Sequence, residues 1–142
     1  MLMKTEFSPT WKSSVQQRKQ RKYRYNAPLH IRRKFISANL AKDLRKEFGT
    51  RSATLVKGDV VRVLRGSHKG DKGPIERIDI QETKIYVKDV KDKKANGTDV
   101  MVPVDPWNLQ IVELHLKDKK RAERLKGKKK AAASDETKAA KK

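Results

Sequence analysis

The chain of 142 residues has no cysteine, which removes thiolate metal sites, disulfide staples and thiol catalysis together. Long apolar runs are missing too. No stretch approaches the roughly 20 apolar residues of a membrane span, and the opening MLMKTEFSPT lacks a secretory apolar core. These absences lead us to expect a soluble, intracellular chain with no membrane insertion. Acidic residues are not gathered into a site: Asp89, Asp92 and Asp99 are interspersed with lysines, and no nucleophile elbow, metal-binding helix or paired-carboxylate signature occurs. His30, His68 and His115 are the only histidines, and without cysteine they make no recognisable metal set. We therefore expect no enzyme, no metal and no cofactor.

What the chain has is positive charge, and it sits at the ends. Residues 1–50 carry a net +10, residues 51–115 only +2, and residues 116–142 a net +8, within a total of +20. Cationic arms on a near-neutral body repel themselves and call for a polyanion. The division also sets the expected organisation: a basic N-terminal arm with helices (1–50), a small domain (51–115), and a basic C-terminal helix and low-complexity tail (116–142). The middle segment alone can bury only a modest core.

The first arm has no acid between Glu6 and Asp43. Arg18, Lys19, Arg21, Lys22 and Arg24 are followed by Arg32, Arg33 and Lys34, and Tyr23 and Tyr25 lie inside the run. Arginine forks phosphate bidentately and a tyrosine ring stacks on an unpaired base, so the mixture suits RNA. A solvated basic coil would explain a single cluster, but ten positive charges without an acid make it the weaker reading. From Pro28 the pattern becomes helical, with Phe35 or Ile36, Leu40, Leu44 and Phe48 at helical spacing up to Gly49. Ser37 and Asn39 offer a break between two shorter helices. His30, just inside the helix start, is better suited to a phosphate or base than to a metal.

The middle changes period. Asp59–Leu64, Ile75–Ile80, Lys84–Val90, Asp99–Val104 and Leu109–Leu114 are short β-branched runs between Gly, Pro, Asn and Asp clusters. Five such strands fit a small antiparallel barrel. Asn96-Gly97 marks a hairpin tip, Pro103 suits only an edge or strand end, and Pro106 with Asn108 makes a turn. The most specific local signal is the loop Arg65, Gly66, Ser67, His68, Lys69, Gly70, Asp71, Lys72, Gly73. Glycines let the backbone take positive φ and keep Cβ atoms away from a phosphodiester chain, so amides and lysines can reach phosphate together. Turn geometry alone would account for one or two of the three glycines. The loop lacks the Gly-Lys-Ser/Thr ending and following helix of a P-loop.

Val61–Val63, Gly66, Lys69, Gly70, Gly73, Ile75 and Ile78 together resemble a KOW motif. With YNAPLHIRRK (Tyr25–Lys34), LAKDLRKEFGTRS (Leu40–Ser52) and KKANGT (Lys93–Thr98) around it, the chain from about Arg18 to about Arg121 resembles the universal large-subunit ribosomal protein family twenty-four in its archaeal and eukaryotic form, called twenty-six in eukaryotes. The short Gly70–Gly73 spacing looks more archaeal.

The resemblance implies a mainly β fold, a small SH3-like antiparallel barrel (the KOW motif), carrying the basic arms. It also implies a cytoplasmic constituent of the large ribosomal subunit that binds the 5′ domain of large-subunit rRNA, acts early in assembly and lies near the polypeptide exit tunnel. Neighbouring ribosomal proteins would be partners, nascent chains or tunnel-exit factors could adjoin it, and no homo-oligomer is expected. Carried over position by position, the rRNA contacts would be Arg18, Lys19, Arg21, Lys22, Arg24, Tyr25, Asn26, His30, Arg32, Arg33, Lys34, Arg51, Ser52, Arg65, Gly66, Ser67, His68, Lys69, Gly70 and Lys72. Pro74, Asp105 and Trp107 depart from the family pattern. The alternatives are a KOW-containing transcription elongation factor, expected to carry a further mixed α/β domain, and a general basic nucleic-acid-binding protein.

Overall fold

The alternation read in the middle of the chain does build strands. The computed structural model describes residues 6–125. Its strands are β1 (Ser37–Leu40), β2 (Ser52–Thr54), β3 (Val60–Val63), β4 (Lys72–Asp79), β5 (Lys84–Lys93), β6 (Asp99–Val104) and β7 (Leu109–Glu113); its α-helices are α1 (Gln17–Asn26), α2 (Leu29–Phe35) and α3 (Lys42–Phe48). The sheet order is β2-β1-β7-β3-β4-β5-β6. The five expected strands are β3 to β7: an antiparallel meander β3-β4-β5-β6, with β7 returning to pair antiparallel with β3. Side chains from all seven strands meet in one cluster that includes Ile36, Leu40, Ala53, Val61, Ile75, Ile85, Val104 and Ile111. A flat sheet could not bring β2 and β6 into one core. The sheet curls into the small mainly β barrel that the sequence led us to expect.

The stretch between Phe35 and Ala41 is a correction. Instead of a simple break between helices it forms β1, parallel to β7 at Asn39↔Gln110 and antiparallel to β2 at Ala38↔Ala53. The reason lies in the spacing. Ile36 and Leu40 are four apart, which one helical turn and two strand repeats both place on one face, and Ala38 between them is buried as well. Hydrogen bonding to β7 decides between the two. Ile36, Leu40 and Phe48 thus belong to the common core, so core packing crosses residue 50. The stop at Gly49 is as expected: φ is +61° and its N–H donates to Arg45 O at 2.8 Å.

The turn residues also fall as their chemistry dictates. Gly97, at φ +80°, donates to Lys94 O at the β5–β6 tip. Pro103 is tolerated because β6 is the last strand of the order, and Pro106–Asn108 forms a 3-10 turn leading into β7.

The basic helix expected from residue 116 starts later: residues 119–125 are helical, and the Asp118 carboxylate accepts Lys120 N at 2.9 Å. Leu125 is buried in the core cluster. Beside it, Arg121 makes a two-pronged ion pair with Asp59, at 2.7 Å from each guanidinium nitrogen. Asp59 is fully buried, and its oxygens also accept Val56 N and His115 N. This pair fastens the C-terminal segment to the start of β3. The low-complexity tail lies outside the described residues.

Candidate nucleic-acid interface

α1 is a helix of charged and polar residues with none buried, so its own sequence gives it little reason to persist in water. One aromatic supplies its anchor. Tyr23 stacks on Phe7 with centroids 5.4 Å apart and meets Phe35 of α2 edge-on at 5.9 Å. Lys22 donates to Glu6 Oε2 at 2.7 Å and lies 5.2 Å over the Trp11 ring, and Asn26 Nδ2 donates to Glu6 O at 2.8 Å. The Lys22 hydrogen bond, then its charge, hold the Glu6 carboxyl below its ordinary value of 4.5. Arg24 stacks over Trp107 at 4.6 Å. With these ties made, Arg18, Lys19, Arg21 and Tyr25 face solvent.

On α2, His30, Arg33 and Lys34 are exposed, while Arg32 is half-buried. Its guanidinium donates to three backbone carbonyls: Ala27 O at 2.8 Å, Tyr25 O, and Gln81 O in the β4–β5 turn. Arg32 therefore ties the arm to the barrel, leaving two of its five N–H donors for another acceptor. Arg51 precedes β2 and Ser52 opens it, both exposed.

The glycine-bearing loop connects β3 to β4. Gly66 and Gly70 have φ of +99° and +102° with open space where a Cβ would stand, and Gly70 N–H closes the turn on Val63 O at 2.9 Å. Gly73 differs. A Cβ there would lie 2.5 Å from Asp89 Oδ2 and 3.0 Å from Val87 Cγ1, so it is needed for close cross-strand packing. Each glycine thus has an internal reason, and the open space at the first two leaves the backbone approachable. Arg65, Ser67, Lys69 and Lys72 are exposed around them. His68 points back, with Nδ1 3.3 Å from Asp71 and Nε2 3.1 Å from Asp92 of β5, which braces the loop.

Two cationic areas result. The loop precedes β4 and the turn that Arg32 grips follows it, so they sit at opposite ends of an eight-residue strand, roughly 25 Å apart if fully extended. A contiguous RNA could span both; a compact anion could not.

The sequence profile of the ribosomal proteins called L26 in eukaryotes and, in their archaeal form, L24 matches residues 14–128. The chain belongs to this family. It is 49% identical over 113 residues to the large ribosomal subunit protein uL24 of Methanosarcina barkeri, covering 80% of this chain and 97% of that one. Identity to uL24 of Methanocorpusculum labreanum is 50% over 113 residues (80% and 93%). For uL24 of Methanoculleus marisnigri it is 51% over 114 residues (80% and 94%).

For this member of the family, three features of the site had little sequence signal. The grip of Arg32 on Gln81 joins residues 49 apart, and the Asp59–Arg121 pair joins residues 62 apart. Nothing near either residue announces its partner. Trp107 is the third: an aromatic beside a turn proline reads as packing, yet it is 49% exposed beneath the Arg24 guanidinium, an arrangement suited to cation–π attraction. Among the described residues no His, Cys, Asp and Glu group could hold a metal.

Proposed function

We propose that the chain is a cytoplasmic constituent of the large ribosomal subunit that binds the 5′ domain of the large-subunit rRNA, early in subunit assembly and near the mouth of the exit tunnel. The barrel is a rigid mount. Arg18, Lys19, Arg21, Arg33 and Lys34 on the arm, with Arg51, Arg65, Lys69 and Lys72 on the barrel, supply phosphate contacts, and Tyr25 supplies a base contact. His68, braced by Asp71 and Asp92, shapes its loop. Neighbouring large-subunit proteins are its protein partners, and it has no enzymatic activity.

The observation that carries this reading is the arm itself. Between Glu6 and Asp43 every charge is positive, and among the described residues one ion pair, Lys22–Glu6, neutralises any of them. A small domain does not hold such a surface together in isolation without cost, and polyanion binding removes the repulsion. Membership of a ribosomal protein family supports the choice of RNA. Sedimentation of tagged protein tests it: we expect it to travel with large subunits through high salt. Release into the soluble fraction, with recovery on RNA polymerase instead, would overturn the assignment.

A further inference from the structure

An open groove of about 1300 Å³ separates the N-terminal arm from the β4–β5 turn. Arg21, Arg24, Tyr25 and Leu29 line the arm side, and residues 81–83 the other. Both walls are fixed before anything binds. Asp79 Oδ1 accepts Gln81 N at 2.9 Å and Glu82 N at 3.1 Å, which locks the turn, and Arg32 bridges the base of the groove to carbonyls on both sides. A preformed groove costs little ordering when filled.

Its chemistry narrows the occupant. Tyr25 is 79% exposed and Leu29 57% exposed, although Tyr23, two residues earlier, is packed between Phe7 and Phe35. Folding gains nothing from leaving the Tyr25 ring in water. Beside it stand two arginines against one acid of the lining, Glu82, that makes no ion pair among the described residues, since Glu6 is held by Lys22. The groove exceeds the about 300–1,000 Å³ usual for enclosed small-molecule pockets and is open, which favours a strand passing through. Bases in a duplex expose only their edges, so a ring in the wall calls for an unpaired base.

We propose that this groove takes a single-stranded stretch of RNA, with one unpaired base stacked on Tyr25 and an adjacent phosphate on Arg21. This rests on the rRNA reading and adds a discrete nucleotide site to it. The test uses the full chain and a transcript of the 5′ domain of large-subunit rRNA, comparing wild type, Tyr25→Ala and Tyr25→Phe, with chemical probing of base reactivity. Tyr25→Ala should weaken binding about fivefold or more, as loss of one stacked base does, while Tyr25→Phe stays within about twofold. One unpaired nucleotide should lose protection in the alanine variant alone. Unchanged affinity for Tyr25→Ala, with tight wild-type binding, would overturn the groove site and leave the rRNA reading standing. Equal losses in both variants would overturn stacking in favour of the hydroxyl. Wild type binding the transcript no better than duplex DNA would instead remove the reading beneath the proposal.

Discussion

Removing the Asp59 carboxylate should loosen the C-terminal segment and lower the stability of the whole domain. Asp59 has 0% exposure. Oδ1 accepts His115 N at 2.8 Å and Arg121 Nη1 at 2.7 Å; Oδ2 accepts Val56 N at 2.9 Å and Arg121 Nη2 at 2.7 Å. In Asp59→Ala two backbone donors lose their acceptor, and a guanidinium that is 12% exposed keeps only the carbonyls of Thr54 and His115. Deleting one partner of a buried pair costs about 3–5 kcal/mol. That is a large part of the roughly 5–15 kcal/mol that holds a domain folded, and for a body of this size it lowers Tm by roughly 10–20 °C. Arg121→Ala should cost a comparable amount, because it leaves the fully buried Asp59 carboxylate with its two backbone donors but no counter-charge. The double variant should fall short of the summed losses by about 1 kcal/mol or more, since the two residues share one interaction. Urea denaturation followed by circular dichroism reads all three. A loss below about 1 kcal/mol for Asp59→Ala, or strict additivity, would refute the latch.

The glycines of the loop should fail for different reasons. Gly73→Ala meets Val87 and Asp89 and should destabilise by about 1–3 kcal/mol through overpacking. Gly70→Val enters open space at φ +102° and should cost about 1–3 kcal/mol of backbone strain; D-alanine at 70, which favours positive φ, should restore stability in the same denaturation assay. Acid should weaken one tie of the arm, the Lys22–Glu6 pair. Because Lys22 holds the folded Glu6 carboxyl below 4.5, that contact contributes above the ordinary glutamate value and is lost as pH falls through the lowered one, read as smaller amide protection factors in α1 after correction for the intrinsic exchange rate at each pH. Salt should weaken rRNA binding with a log–log slope of roughly −6 to −7, for about eight neutralised phosphates; a slope near zero would contradict an electrostatic arm.

Much of the barrel was legible because its signals are local. Arg62 between Val61 and Val63 reads as one wet position between two inward ones, and the structure has Val61 and Val63 buried with Arg62 exposed, donating to Gln110 across the sheet. Asn96-Gly97, Pro103 and Gly49 carry their own torsional reasons. β1 was not legible, since a spacing of four serves helix and strand equally and only pairing with β7 separates them. The candidate site divides the same way. Charge runs announce the arm, but they do not distinguish Tyr23, which packs, from Tyr25, which is exposed, nor Arg32, which grips the β4–β5 turn, from Arg33 beside it. Those roles depend on what the fold brings opposite, as with the acid that meets Arg121.

The arm and the glycine loop recognise a particular RNA, on this reading, and do more than attract any polyanion. Competitive binding of the full chain to the 5′ domain of large-subunit rRNA, against equal-length duplex DNA and unrelated structured RNA at moderate salt, addresses it most directly. A clear preference for the rRNA domain is expected. Equal affinity for all three would contradict it and leave only the behaviour of a polycation.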